Sequence, residues 1–207
     1  GMVKIMQNLP SKTYWNWLNK LGINKRLETD LFESTAGQLK SKNIFVTQSI
    51  EPAVASFGKG FSISPLKLAQ LHAVLANGGS EIIPHVTLNF KDHLKNYSPK
   101  EIFSNEVSKT VLKWMESVVD NGSGKGAKID GYRIGGKTGT SQKAVNGRYT
   151  SKKVCSFVAS FPVNNPKYVV LVVIDEPSKA YAYGSTVAVP IAKEIIESLI
   201  VIEKIPP

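Results

Sequence analysis

Apolar residues recur at helical spacing in four stretches of the chain and crowd into short extended runs in a fifth region. In "SKTYWNWLNKLGI", Tyr14, Trp15, Leu18 and Leu21 share one face, and Gly22 follows as a stop. In "SPLKLAQLHAVLANGG", Ser64 can cap, and Pro65 suits the first helical position, where a missing NH costs nothing. Asn77-Gly78-Gly79 then supplies a left-handed exit. "SNEVSKTVLKWMESVVDNG" places Val107, Val111, Trp114, Met115 and Val118 on one face, between a Ser104 cap and an Asn121-Gly122 terminator. The last stretch, "PIAKEIIESLIVI", gives a stripe of Ile191, Ile195, Ile196 and Leu199.

Between the third and fourth helices the period changes. Three extended runs, 133–143, 153–161 and 168–175, are separated by "NGRYTSK" and "PVNNP", both rich in turn formers. Connections this short join only antiparallel neighbours, because a parallel return needs a crossover of a dozen or more residues. The pattern predicts a three-strand meander. "NGSGKGAKIDG" before it and "EPSKAYAYGST" after it read as loops, the first flexible and polar. The expected fold is α+β: a helical part over about 1–125, then a meander and C-terminal helix over about 131–203, with the antiparallel sheet flanked by helices.

With 207 residues, 42% of them hydrophobic, the chain is long enough for one substantial domain. Its longest apolar run, Tyr168 to Ile174, is far short of the roughly 20 residues a spanning helix needs. The formal charge of +10 predicts attraction to anionic partners. The lysines are scattered and not interleaved with aromatics, which argues against a nucleic-acid surface. Cys155 is the single cysteine, so an internal disulfide and a metal site built on a cysteine cluster are both excluded; its apolar neighbours mark it as an inert core residue. His72, His85 and His93 show no metal-ligand spacing, and no metal or cofactor is expected.

The chemistry concentrates in "GYRIGGKTGTSQ", residues 131–142, which admits two readings. Gly131, Gly136, Lys137 and Thr138 satisfy the phosphate-loop pattern, and "VVLVVIDE" further on imitates the apolar strand and acidic residue that would hold magnesium. A phosphate loop needs a strand ending at the first Gly and a helix starting at the Lys-Thr pair. Here a Gly/Lys-rich loop precedes, Gly139, Thr140 and Ser141 follow, and Asn146-Gly147 and two prolines turn the chain back on itself. The other reading is an extended strand whose backbone Gly135, Gly136 and Gly139 leave bare to an approaching peptide. Lys137 then projects a fixed positive charge, and the hydroxyls of Thr138 and Thr140 can hold a carboxylate, as suits a free peptide C-terminus.

Five blocks in order, "FGKGFSISPLKLAQLHAVLANGG", "GYRIGGKTGTSQK", "SFVASFPVNNPKYVVLVVIDEP", "YGSTVAVPIAKEI" and the opening "GMVKI", resemble the transpeptidase domain of class B penicillin-binding proteins. The resemblance covers nearly the whole chain, and "KTGTSQK" leans towards the division-specific branch. It implies a penicillin-binding transpeptidase or serine β-lactamase-like fold, here incomplete, and acyl transfer. A serine attacks a D-Ala-D-Ala stem peptide, D-alanine leaves, and the acyl group passes to an amine of a neighbouring stem. It further implies that Lys137 lines the cleft and supports the proton network, that Thr138 and Thr140 hold the substrate carboxylate, and that the Thr140 NH is one oxyanion donor. Gly139 keeps the strand open, and Tyr183 and Gly184 border the cleft, although the usual aromatic-Gly-Gly reads "YGS" here.

The family's nucleophile lies in S-x-x-K and its partner in S-x-N. The chain offers Ser56 with Lys59, Ser64 with Lys67, and Ser41 with Asn43; chance alone yields about two S-x-x-K matches in such a composition. Ser64 is better explained as a cap, and "SFGKG" as a turn. "GMVKI" resembles the segment directly after S-x-N, so the expectation is one wall of an active site without its nucleophile, inactive by itself. The resemblance places the full-length parent on the extracytoplasmic face of a bacterial inner membrane, acting on peptidoglycan stem peptides, inhibited by β-lactams, and partnered by a glycan-polymerising or divisome protein. The piece itself is expected to expose apolar surface and self-associate. On the same fold, a D,D-carboxypeptidase, a serine β-lactamase and a non-catalytic penicillin sensor stay open.

Overall fold

The computed structural model describes residues 1–88, 97–145, 148–179 and 181–207; His93, Asn146, Gly147 and Ala180 lie outside them. Two compact units emerge, the first built from 1–71 and 81–102, the second from 72–80 and 103–207.

The first unit is helical. It contains α1 (Met2–Met6), α2 (Ser11–Lys20), α3 (Lys42–Thr47), α4 (Ile50–Ala55) and the opening turns of α5 (Pro65–Ala76). Leu18, Ile23, Phe45 and Ala55 form its core, and Tyr14 meets Phe45 edge-on with ring centroids 5.6 Å apart. Gly22 ends α2 in the left-handed region at φ +69°, as its position in sequence predicts. Away from that core, Asp30 accepts from the backbone NH groups of Val86 and Thr87 and from the Thr87 hydroxyl. That donor set holds its carboxyl down at about 2.

The three serines with motif-like spacing all sit at helix ends. Ser41 caps α3 by accepting from Ile44 NH at 3.5 Å, and Ser64 caps α5 by accepting from Lys67 NH at 3.2 Å. Ser56 closes α4 and donates to the Ala53 carbonyl at 2.7 Å; Gly58 and Gly60 then turn the chain at φ +83° and +79°.

In the second unit, strands β1 (Gly135–Val145), β2 (Arg148–Phe161) and β3 (Tyr168–Asp175) make an antiparallel sheet in the order β1-β2-β3. Lys137 pairs with Val158, Gly139 with Ser156 and Thr140 with Cys155. One face of the sheet carries Phe157, Ala159 and Phe161 against Val189, Ala192 and Ile196 of α7 (Val189–Ile202), all of them fully buried. The other face receives α6 (Asn105–Asn121): a Cβ on Gly135 would lie 3.2 Å from the Leu112 carbonyl and 3.3 Å from the Glu116 NH. Glu116 in turn takes a bidentate bond from Arg133, which holds its carboxyl below the ordinary range.

Several expectations are corrected. On α6 the buried stripe is Ser108, Leu112, Met115 and Val119, one position on from the apolar stripe in the sequence; Val107 and Trp114 are exposed. On α7 the buried residues are Val189, Ala192 and Ile196, and Ile191 and Ile195 face outward. In both cases a small side chain, Ser108 or Ala192, is among the fully enclosed residues, while bulkier neighbours lie exposed on the flank. β2 begins at Arg148, so most of "NGRYTSK" is strand. The Gly-rich loop before β1 contains a 3-10 turn, Lys125–Ala127, whose Ala127 is fully buried. Cys155 is buried as expected, and burial pushes its thiol up.

Candidate active site

β1 ends the sheet, so its outer edge faces no described strand. Lys137 to Thr140 are extended within it, and no helix begins at the Lys-Thr pair, which removes the nucleotide reading. Strand alternation sends Lys137 and Gly139 to one face, Thr138 and Thr140 to the other. Lys137 is exposed and its Nζ donates to the Thr138 carbonyl at 2.7 Å.

Each threonine hydroxyl has a fixed partner. Thr138 Oγ1 is 2.7 Å from Ser123 Oγ, on the loop that follows α6. Thr140 Oγ1 accepts from the Gly184 NH at 3.0 Å, leaving its own proton to be donated elsewhere. Gly184 opens a π-type turn, Gly184–Ala188, that runs into α7. Its α-carbon packs directly onto the sheet: an added Cβ would collide with the Ser156 and Gly139 carbonyls. Tyr183 is held from two sides. Its NH bonds Thr186 Oγ1 at 3.0 Å, and Lys153 Nζ lies 4.5 Å from its ring centroid while donating to the Ala182 carbonyl at 3.2 Å. Tyr181, next along, is 79% exposed.

The structure therefore gathers Lys137, Thr138, Gly139, Thr140, Tyr183 and Gly184 into one neighbourhood. It revises the part the glycines play. Gly135 is filled by the Val163 side chain and the backbone of α6, and Gly136 by the Phe157 ring, so both serve the protein's own packing; a Cβ on Gly139 would meet only the Ser156 side chain, its Oγ at 2.5 Å. Ser123 was missed by the sequence reading, since "NGSGKG" carries only the signature of a linker. His72 is partly buried, with its enclosed Nδ1 unpartnered, and among the described residues no group of His, Cys, Asp and Glu could hold a metal.

The penicillin binding protein transpeptidase domain model matches residues 1–197. The chain belongs to this family. Among its curated relatives is a peptidoglycan D,D-transpeptidase FtsI homolog of Mesostigma viride, 46% identical over 230 aligned residues, which cover all of this chain and 38% of the relative. Another transpeptidase relative, an FtsI homolog of Chlorokybus atmophyticus, is 33% identical, with all of this chain and 46% of that protein covered. The apo transpeptidase domain of Burkholderia pseudomallei penicillin-binding protein 3 superposes with a TM-score of 0.87 at 29% identity, over 100% of this chain and 62% of that one. The chain thus spans less than half the length of these two curated transpeptidase relatives.

Proposed function

We propose that the chain supplies one wall of the active site of a peptidoglycan D,D-transpeptidase, a penicillin target that cross-links stem peptides by serine acyl transfer. The arrangement at β1 carries the reading: an edge that faces no described strand, a lysine on one face, and two threonine hydroxyls braced on the other by Ser123 and Gly184. A stem peptide laid along that edge would place its terminal carboxylate at Thr138 and Thr140, which can donate to it. NH and C=O of alternate residues share an edge, so the Thr140 NH falls where the Thr138 carbonyl meets Lys137, and there it serves as an oxyanion donor. Lys137 supplies positive charge beside the reacting group, and Tyr183 and Gly184 close the cleft.

The nucleophile is assigned to sequence beyond these elements, because Ser41, Ser56 and Ser64 already use their hydroxyls at helix ends. The family and its FtsI-type relatives support action on peptidoglycan outside the cytoplasm, in the division branch. The proposal adds a membrane-held parent working with a glycan-polymerising or divisome partner.

Fluorescent penicillin tests the reading. A protein of the relatives' full length is expected to form a stable labelled band, to lose at least about tenfold in labelling rate with Lys137→Ala, and to pass its acyl group to an amine acceptor. The 207-residue chain alone is expected to stay unlabelled. Acyl transfer only to water would make the parent a carboxypeptidase or β-lactamase, labelling without turnover a sensor, and no labelling of the full-length protein would end the proposal.

A further inference from the structure

We infer that a basic recess at the start of β2 is a second anion site, built to take a phosphate or carboxylate group. The recess has a volume of about 250 Å³ and is walled by Ser151, Lys152, Lys153, Glu176, Lys179 and Ala182. It does not depend on the transpeptidase reading.

Charge accounting supplies the argument. Two carboxylates stand here, and both are taken: Lys143 Nζ lies 2.9 Å from Asp175 and 2.8 Å from Glu176, and Lys152 lies 2.8 Å from Glu176. Those lysines keep the Glu176 carboxyl down at about 2, so it stays ionised and occupied. Lys153 and Lys179 remain. Lys153 spends its contacts on a neutral carbonyl and an aromatic face, which leaves ammonium protons to donate. Lys179 has no ion pair among the described residues. Lys153, Lys179 and Ser151 thus line a concavity whose one carboxylate, Glu176, is already paired. A concave site of one sign concentrates counter-ions well above an equal charge on a flat surface. An oxyanion matches the donors; a cation or a purely apolar group does not.

The experiment is a titration of the isotope-labelled chain with inorganic phosphate and, separately, acetate, at ionic strength fixed with chloride, followed by amide resonances. Saturable shifts at Ser151, Lys153 and Ala182 are expected. Lys179→Gln should weaken the apparent affinity about threefold to fivefold, Lys179→Arg should retain it, and Glu176→Gln should strengthen it. A response to phosphate alone identifies a phosphoryl ligand, and a response to acetate identifies a carboxylate. Shifts that never saturate, that spread equally over the scattered surface lysines, or that ignore Lys179→Gln would overturn the site. Signals of Lys137 to Thr140, read in the same spectra, report the β1 edge separately.

Discussion

The Gly184 NH donates to Thr140 Oγ1 across 3.0 Å, joining two segments that are 44 residues apart in sequence. The hydroxyl of Thr140 is thereby a structural acceptor as well as a candidate substrate donor. Thr140→Val leaves the part-buried Gly184 NH unpaired and is expected to cost about 1–3 kcal/mol, whereas Thr140→Ser keeps the bond. Denaturant midpoints of the two variants check this.

Two neighbouring glycines should respond differently to the same change. A Cβ at Gly184 meets the carbonyls of Ser156 and Gly139, which belong to a paired ladder and have nowhere to go. At Gly139 it meets Ser156 Oγ, a hydroxyl that can rotate away. Gly184→Ala is expected to destabilise by about 2 kcal/mol or more, and Gly139→Ala by about half as much. Thermal unfolding of both variants provides the comparison.

Ser123 holds the Thr138 hydroxyl from 2.7 Å, and the contact is exposed. Ser123→Ala should therefore change stability by less than about 1 kcal/mol. In a full-length protein it should lower the second-order rate of acylation by a carboxylate-bearing β-lactam several-fold, because Thr138 loses its orienting partner. Stopped-flow acylation kinetics give the number, with Ser123→Thr as the variant expected to restore it.

Burial pushes the His72 imidazole down from 6.5 to about 4, with Nδ1 unpartnered. The folded chain holds this ring neutral while the unfolded chain protonates it, so stability is full above pH 6.5 and is lost as pH falls towards 4. The total is on the order of 3 kcal/mol. Glu116 and Glu176, whose carboxyls sit below their ordinary 4.5, add their losses only at lower pH. Urea midpoints measured between pH 5 and 7 should slope upward with pH in this chain and lie nearly flat in His72→Leu.

The long elements were legible because their signals are local. Pro65 and Ser64 mark the start of α5, and Gly78 and Gly79 end it at φ +86° and +104°. β3 spans Tyr168–Asp175 as its apolar run predicts. The helices α1, α3 and α4 were not legible, since five or six residues are too few to display a period. The burial of Ser108 in place of Val107 escaped for another reason: a hydrophobicity pattern ranks serine low, although its small side chain fits an enclosed position. At the site, Lys137 to Thr140 announce themselves by pattern. Ser123 does not, because only the turn at Lys125–Ala127 folds it back beside Thr138.

The seating of α6 on Gly135 has a mechanical outcome. The helix backbone rests against one end of β1, and the residue two places past its last turn holds the hydroxyl of Thr138 further along the same strand. Helix and strand are consequently tied at two places, so a substitution that shifts the last turns of α6 would carry the Ser123 hydroxyl, and with it the orientation of Thr138, along with the helix.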